Sequence, residues 1–351
     1  MKVLMVGVDR QTQGGMWTVA ENYLNDVSFS EMTGLKYIST SITGKKSKRV
    51  LFSCRALLQI FFTLLMGDYD IVHVHMAEKG SVYRKNLVIS IARIFHCKIL
   101  LHMHGAEFES WYRQSSKRNQ AFVRRVLQKA DRIVILGEYW RKFIESLAGQ
   151  RVSVVYNAVT VPEKNFYSVH AKHLLFLGRI EKRKGIYDLL LALQKIDENL
   201  DKDIQLWIYG PDPENSMNQV ISEMGLNQRV VYRGWLDKKE RENIFSQVAL
   251  NILPSYHEGL PMTILETMAY GIPNISTKVA AIPEVVDSEN GVLICSGEVD
   301  SLANAIFTLM CNPKMREEKS CRAFDTIKTK FSLTRHLEEI LSIYYELENG
   351  K

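Results

Sequence analysis

Five cysteines in 351 residues, scattered at Cys54, Cys97, Cys295, Cys311 and Cys321, leave an odd number for pairing and no C-x-x-C. That excludes a disulfide framework and a thiolate zinc knuckle, and points to the reducing cytoplasm. Prolines number only eight, and no repeat or low-complexity tract accompanies them, so the chain is not a fibrous or disordered one. Long hydrophobic runs are missing too. The longest, ALLQIFFTLLM from Ala56 to Met66, falls well short of the ~20 residues that cross a bilayer, and no spanning segment is expected. The opening MKVLMVGVDR turns charged too soon for a signal peptide and reads as a first β-strand.

What is present is an ordinary globular composition, with 46% hydrophobic residues and a formal charge of +6. That charge is unevenly placed. Residues 1–165 hold 24 Lys and Arg against 13 Asp and Glu, whereas residues 166–351 hold 21 against 26. The bases of the front half cluster in KKSKR (Lys45 to Arg49) and among Arg113, Lys117, Arg118, Arg124, Arg125 and Lys129. A basic cluster beside the apolar segment Leu51 to Met66 suits an anionic membrane surface. A solvated face over a core helix is the plainer alternative. No recognition motif accompanies the charge, so nucleic acid is not expected as a partner.

Short apolar runs alternate with helical stretches along the whole chain. KVLMVGV, DIVHVHM, KILLHMHG, RIVILG and VSVVYN are strand candidates in the first half; HLLFLGRI, IQLWIYG, VVYRGW, LNILPS, IPNIST and GVLIC follow in the second. Strands buried on both faces and interleaved with helices mean parallel, doubly wound sheets, here two in succession. The expected organisation is a Rossmann-like domain over residues 1–165 and another over 166–330, joined by the polar stretch Ala158 to Lys172. Ligands of such sheets bind beyond the strands' carboxyl ends, in a cleft the two domains would share.

Two stretches carry chemistry. In HEGLPMTILETMAYGIP (His257 to Pro273), Pro261 suits a helix's first turn and Gly271 its end, and Gly259 precedes an amino terminus that would favour phosphate. Glu266 lies within that apolar helix, on its buried part. A carboxylate there needs donors, which two vicinal sugar hydroxyls would supply. Glu258 precedes the helix in the loop after LNILPS. Upstream, LFLGRIEKRKG ends a strand with Gly178 and then presents Arg179 and Lys184, five residues apart, as a clamp for a diphosphate.

These residues resemble the large family 4 of retaining nucleotide-sugar glycosyltransferases with the GT-B fold. HEGLPMTILETMA is similar to that family's paired glutamates with seven residues between them, and LGRIEKRKG to its Gly-Arg…Lys-Gly loop. PSYHEGLP matches the approach to the first glutamate. YNAV (Tyr156 to Val159) resembles an interdomain Asn-Gly-Val, with Ala158 standing where glycine is usual. The likeness runs from Gly14-Gly15 to the last helix, Phe331 to Leu347, which in the family crosses back to the first domain.

The resemblance implies roles. Arg179 and Lys184 would neutralise the leaving diphosphate, and Glu266 would bind the nucleotide ribose. Glu258 would contact the transferred sugar, with the backbone of Gly259, Leu260, Pro261, Met262 and Thr263 around sugar and phosphates. Arg233, Gly234 and Trp235 would lie near the base, Gly15 would approach the phosphates, and His104 would sit by the reacting face of the sugar. Transfer would proceed with retention, without metal or other cofactor. The implied protein is a peripheral enzyme of the inner membrane face. It moves a hexose, UDP-linked by preference, to a lipid-linked saccharide in surface polysaccharide synthesis. A soluble enzyme acting on small or polymeric acceptors, and an inactive nucleotide-sugar-binding subunit, are the alternatives.

Other candidates are weaker. His73 with His75, and His102 with His104, form two H-x-H pairs on strands; strand-end or core histidines are expected there rather than a metal site. GVDRQTQGG lacks the G-x-G-x-x-G spacing of a dinucleotide fingerprint.

Overall fold

A computed structural model of the chain describes residues 1–12 and 14–350. They form two compact units, one from Met1–Ala158 with Leu333–Lys351, the other from Val159–Ser332. The passages between units thus fall at 158/159 and 332/333, against the expected 165/166 and 330/331. Val159 N–H donates to the Phe331 carbonyl at 3.1 Å and pairs with Ser332 in an isolated parallel bridge. The stretch expected as a linker is instead anchored on the second unit. Asn165 Nδ2 donates to Ser320 Oγ (3.0 Å), and the Tyr167 hydroxyl donates to the Ala249 carbonyl (3.1 Å).

The first unit is built on strands β1 (Val3–Gly7), β2 (Lys36–Ser39), β3 (Ile71–Met76), β4 (Lys98–Met103), β5 (Arg132–Ile135) and β6 (Val152–Val154), in the order β2-β1-β3-β4-β5-β6. All pairings are parallel. The second uses β7 (His173–Leu177), β8 (Leu206–Tyr209), β9 (Val230–Tyr232), β10 (Val248–Leu253), β11 (Asn274–Thr277) and β12 (Gly291–Ile294), ordered β12-β11-β10-β7-β8-β9 and again wholly parallel. Strands β1, β3 and β10 are buried at every position, and apart from His73, His75 and Asn251 their sequences are apolar.

Strand order locates the sites. In the second unit the chain runs outward from β7 through β8 to β9, then returns to β7's other side with β10. That is the Rossmann order, and its reversal lies between β7 and β10, where the loops leaving neighbouring strands diverge and open a crevice. In the first unit the same reversal falls between β1 and β3.

The helix Lys46–Met66 has 21 residues, more than the apolar run showed, because it begins inside the basic cluster. By length and composition it could cross a membrane, contrary to the expectation of no such segment, although 22% of its most apolar window is buried. Ala56, Ile60, Thr63 and Leu64 pack inward as one stripe. Leu51, Leu58, Phe62 and Leu65, seven, four and three residues apart, form an exposed apolar stripe. The helix Leu333–Glu348 returns to the first unit and buries His336, Leu337, Ile340, Ile343, Tyr344 and Leu347.

Candidate active site

The loops after β7 and β10 interlock at the second unit's crossover. Gly210, after β8, has φ +139°, and a Cβ there would come within 1.9 Å of the Gly178 carbonyl oxygen, so a side chain would part the two strand ends. Beyond Gly178 come Arg179, a short turn Lys182–Lys184, and Gly185 at φ +70°. A Cβ on Gly185 would stand 2.1 Å from the Pro254 carbonyl oxygen. Only glycine lets this turn lie against the segment leaving β10.

That contact sets up the charges. Lys184 Nζ lies 2.5 Å from Glu258 Oε1, and Ser255 Oγ donates to the same oxygen at 2.7 Å. Arg183 Nη1 donates to the His257 carbonyl at 2.6 Å and stands 4.0 Å from Glu258 Oε2. Glu181 accepts from Arg183 Nη2 at 2.7 Å and lies 3.7 Å from Arg179 Nε. Glu258 is buried, whereas the Arg179 side chain is 54% exposed and free to meet an incoming anion. Three cations thus face two carboxylates, leaving the site cationic.

The helix after Glu258 runs Met262–Ala269, with Pro261 as its cap rather than in its first turn, and ends before Gly271 at φ +73°. It is buried on nearly all sides. Thr263, Glu266 and Tyr270, three and four residues apart, form the one half-buried stripe. Glu266 was expected on the buried part of the helix, and its side chain is only 11% exposed there. Its Oε1 pairs with Arg241 Nη1 at 2.7 Å. Burial raises the Glu266 pKa, and the Arg241 charge works against that rise. Beneath, Asn274 Nδ2 donates to Thr267 Oγ1 (3.1 Å) and Asn251 Nδ2 to Asn274 Oδ1 (2.5 Å), tying the helix to β10 and β11.

The other expected residues are placed as follows. The Arg233 guanidinium lies 4.1 Å over the Trp207 ring, which stacks at 3.9 Å on His173; the arginine is turned back along the sheet. The Gly234 carbonyl accepts from Gly210 N–H at 2.7 Å, so it sits at the strand ends, and Trp235 is half exposed. In the first unit Gly15 opens the helix Gly15–Asn25, and His104 follows β4.

His104 is the outer member of a histidine stack. His75 Nδ1 lies 2.8 Å from His104 Nε2, and His73 Nε2 lies 3.2 Å from His102 Nδ1. His73 Nδ1 meets the Tyr344 hydroxyl at 2.6 Å. His336 Nδ1 donates to the Tyr156 carbonyl (2.7 Å), leaving Nε2 to accept from the Tyr23 hydroxyl (2.5 Å). Burial pushes all five imidazoles down, His336 to about 4 and His104 to about 3. His73, His75 and His102 offer ligand atoms within 4.8 Å of one another. Both His73 nitrogens are already engaged, whereas His75 Nε2 and His102 Nε2 are buried without a hydrogen-bond partner.

Sequence reasoning passed over Arg183 and Ser255, although both lie inside the quoted motifs. Arg241 gave no signal, since its partner is 25 residues on, across a strand.

Two Rossmann-like units, the second with cations gathered at its crossover, are the architecture of the GT-B class of glycosyltransferases. Residues 29–161 match the model of Glycosyltransferase Family 4, and residues 171–312 that of Glycosyl transferases group 1. Together these matches take in most of the chain, which belongs to this family of glycosyltransferases. An uncharacterised 41.2 kDa protein in the cps region of Klebsiella pneumoniae is 24% identical, over 97% of this chain and 99% of that one. The UDP-Gal:alpha-D-GlcNAc-diphosphoundecaprenol alpha-1,3-galactosyltransferase of Escherichia coli is 26% identical, over 85% of this chain and 80% of its own. Sucrose-phosphate synthase of Thermosynechococcus elongatus shares the fold, with a TM-score of 0.81 over both full chains at 15% identity.

Proposed function

We propose that this glycosyltransferase moves a hexose from a nucleoside-diphosphate sugar, UDP-linked by preference, to a hydroxyl of a lipid-linked saccharide in surface polysaccharide synthesis. The observation that carries the reading is the convergence of Arg179, Lys184 and Glu258 at the β7/β10 crossover. The anomeric carbon–oxygen bond breaks toward the diphosphate. Arg179, Lys184 and the amino end of the helix Met262–Ala269 meet the charge that develops on it. Glu258, held by Ser255, accepts from hydroxyls of the transferred sugar, and Glu266 from those of the ribose. The acceptor oxygen attacks on the face the diphosphate leaves, which retains configuration. Gly15 and His104 serve the phosphates and the reacting sugar, and Arg233, Gly234 and Trp235 the base. Because protein cations balance the leaving group, turnover should survive EDTA.

The lipid-linked acceptor is supported by the helix Lys46–Met66, whose stripe of Leu51, Leu58, Phe62 and Leu65 is exposed beside Lys45, Lys46, Lys48 and Arg49. An apolar stripe flanked by cations suits peripheral adsorption to the inner face of an anionic membrane. The acceptor relationship in the Escherichia coli relative's name is of the same kind.

The test is an assay of UDP-hexoses against a polyprenyl-diphosphate saccharide and the free saccharide, with the product's anomeric configuration read by NMR. Preference for the lipid-linked acceptor, retention, and co-sedimentation with anionic vesicles that weakens in salt are expected. Equal use of soluble acceptors without vesicle binding would favour the soluble enzyme. Nucleotide binding with neither transfer nor hydrolysis would make the chain a regulatory subunit.

A further inference from the structure

Arg241 lies in no motif, yet it makes the only ion pair described for Glu266. Nη1 meets Oε1 at 2.7 Å, with side-chain exposures of 19% and 11%. A structural arginine in a buried carboxylate pair ordinarily offers its planar fork and satisfies its remaining donors. Here Nε is buried and has no hydrogen-bond partner. The guanidinium is one acceptor short, and the carboxylate, paired through one oxygen, retains capacity for donors. A vicinal diol supplies those donors to the carboxylate. Glu266 also sits on the least covered stripe of an otherwise buried helix, beside Thr263 and Tyr270.

We propose that Arg241 is a positioning residue for the nucleotide: it holds Glu266 ionised and oriented toward the ribose diol, and so sets the preference for ribonucleotides over deoxy analogues. The inference rests on the reading of Glu266 as the ribose ligand. Without Arg241 the carboxylate would stay on its helix but lose the charge that fixes its rotamer. Discrimination at the ribose would then fall more than binding of the diphosphate, which Arg179 and Lys184 hold independently.

Calorimetry decides, using whichever of UDP, GDP and ADP binds the wild-type enzyme together with its 2′,3′-dideoxy counterpart. Hydrogen bonds to a charged group predict that wild type favours the ribonucleotide by about 10-fold or more. Arg241→Gln should bring the ratio to within about 3-fold, with the loss on the ribonucleotide side only, and Arg241→Lys should recover part of it. A merely structural role would weaken both ligands alike. If Arg241→Gln does not fold, Arg241→Lys alone decides: an intermediate ratio upholds the role, and a wild-type ratio overturns it. Full discrimination in Arg241→Gln, with Glu266→Ala abolishing it, overturns the inference and leaves the function standing. No discrimination in wild type, or no nucleotide bound, overturns both.

Discussion

Glu258 is buried against Lys184 and Ser255, whereas Arg179 stands 54% exposed beside Glu181; Lys184 and Arg179, the proposed neighbours of the leaving group, therefore fail differently when changed. Lys184→Ala strands a buried carboxylate whose remaining close donor is Ser255. Breaking a buried pair from one side should cost about 3 kcal/mol of stability, and the lost charge should lower kcat by about 10²-fold or more. Arg179 is 54% exposed and 3.7 Å from Glu181, so Arg179→Ala should shift stability by no more than about 0.5 kcal/mol while lowering kcat about as much. Chemical denaturation run beside steady-state kinetics separates the two. An Arg179→Ala enzyme with unimpaired kcat would remove arginine from the diphosphate clamp. Glu266→Ala belongs to the same scale: affinity for the nucleoside diphosphate should drop in calorimetry, and Tm should fall as well, because Arg241, 19% exposed, loses its carboxylate partner.

Between residues and domains, the decisive element is the turn Lys182–Lys184 with its glycine. Gly185→Ala meets both obstacles at once, a φ of +70° and a carbonyl oxygen 2.1 Å from the new Cβ. The turn must move off the segment after β10, pulling Lys184 from Glu258. About 1–3 kcal/mol of strain and a fall in kcat/KM comparable with Lys184→Ala are expected, measured by denaturation and initial rates. Unchanged kinetics would mean that the two loops need not touch. This turn was legible in the chain only together with the paired glutamates downstream, because a basic loop after a strand is by itself more often a solvated turn. Strand β10 was plain, being apolar but for Asn251. Strand β2, KYIS, was not: it is an edge strand with one buried side chain, Ile38, too short for any alternation to show. The helix Lys46–Met66 was half seen, since charges at its exposed amino end broke the apolar pattern without breaking the helix. Glu266 reads as an acid inside an apolar helix and is 11% exposed there; its partner Arg241, which comes from a separate element, left no such mark.

At the scale of the molecule, five of the nine histidines are gathered in the first unit, and their burial gives it a pH dependence the second unit largely lacks. His73, His75, His102, His104 and His336 all titrate below the ordinary 6.5 in the folded state, chiefly through burial, reinforced by mutual repulsion of their charged forms. Lys85, also buried, adds to the repulsion on His75. The unfolded chain therefore takes up protons first as pH falls. The stability these neutral imidazoles contribute is fully present above about pH 6.5 and is lost progressively below it, toward the folded values of about 4 for His336 and about 3 for His104. Between pH 6.5 and 5 each fully buried imidazole contributes up to about 2 kcal/mol to that loss. In the second unit His173 is also lowered, by partial burial and by Arg233 and Lys172, but it stands alone on Trp207. Hydrogen exchange corrected for intrinsic rates reads the two units in one sample. From pH 7 to pH 5, protection in β3 and β4 should fall at least about 10-fold, while β10 and β11 change little. If β3 and β4 keep their protection at pH 5, the stack is not held neutral by the fold, and the tautomers that tie His104 to His75 must be reassigned.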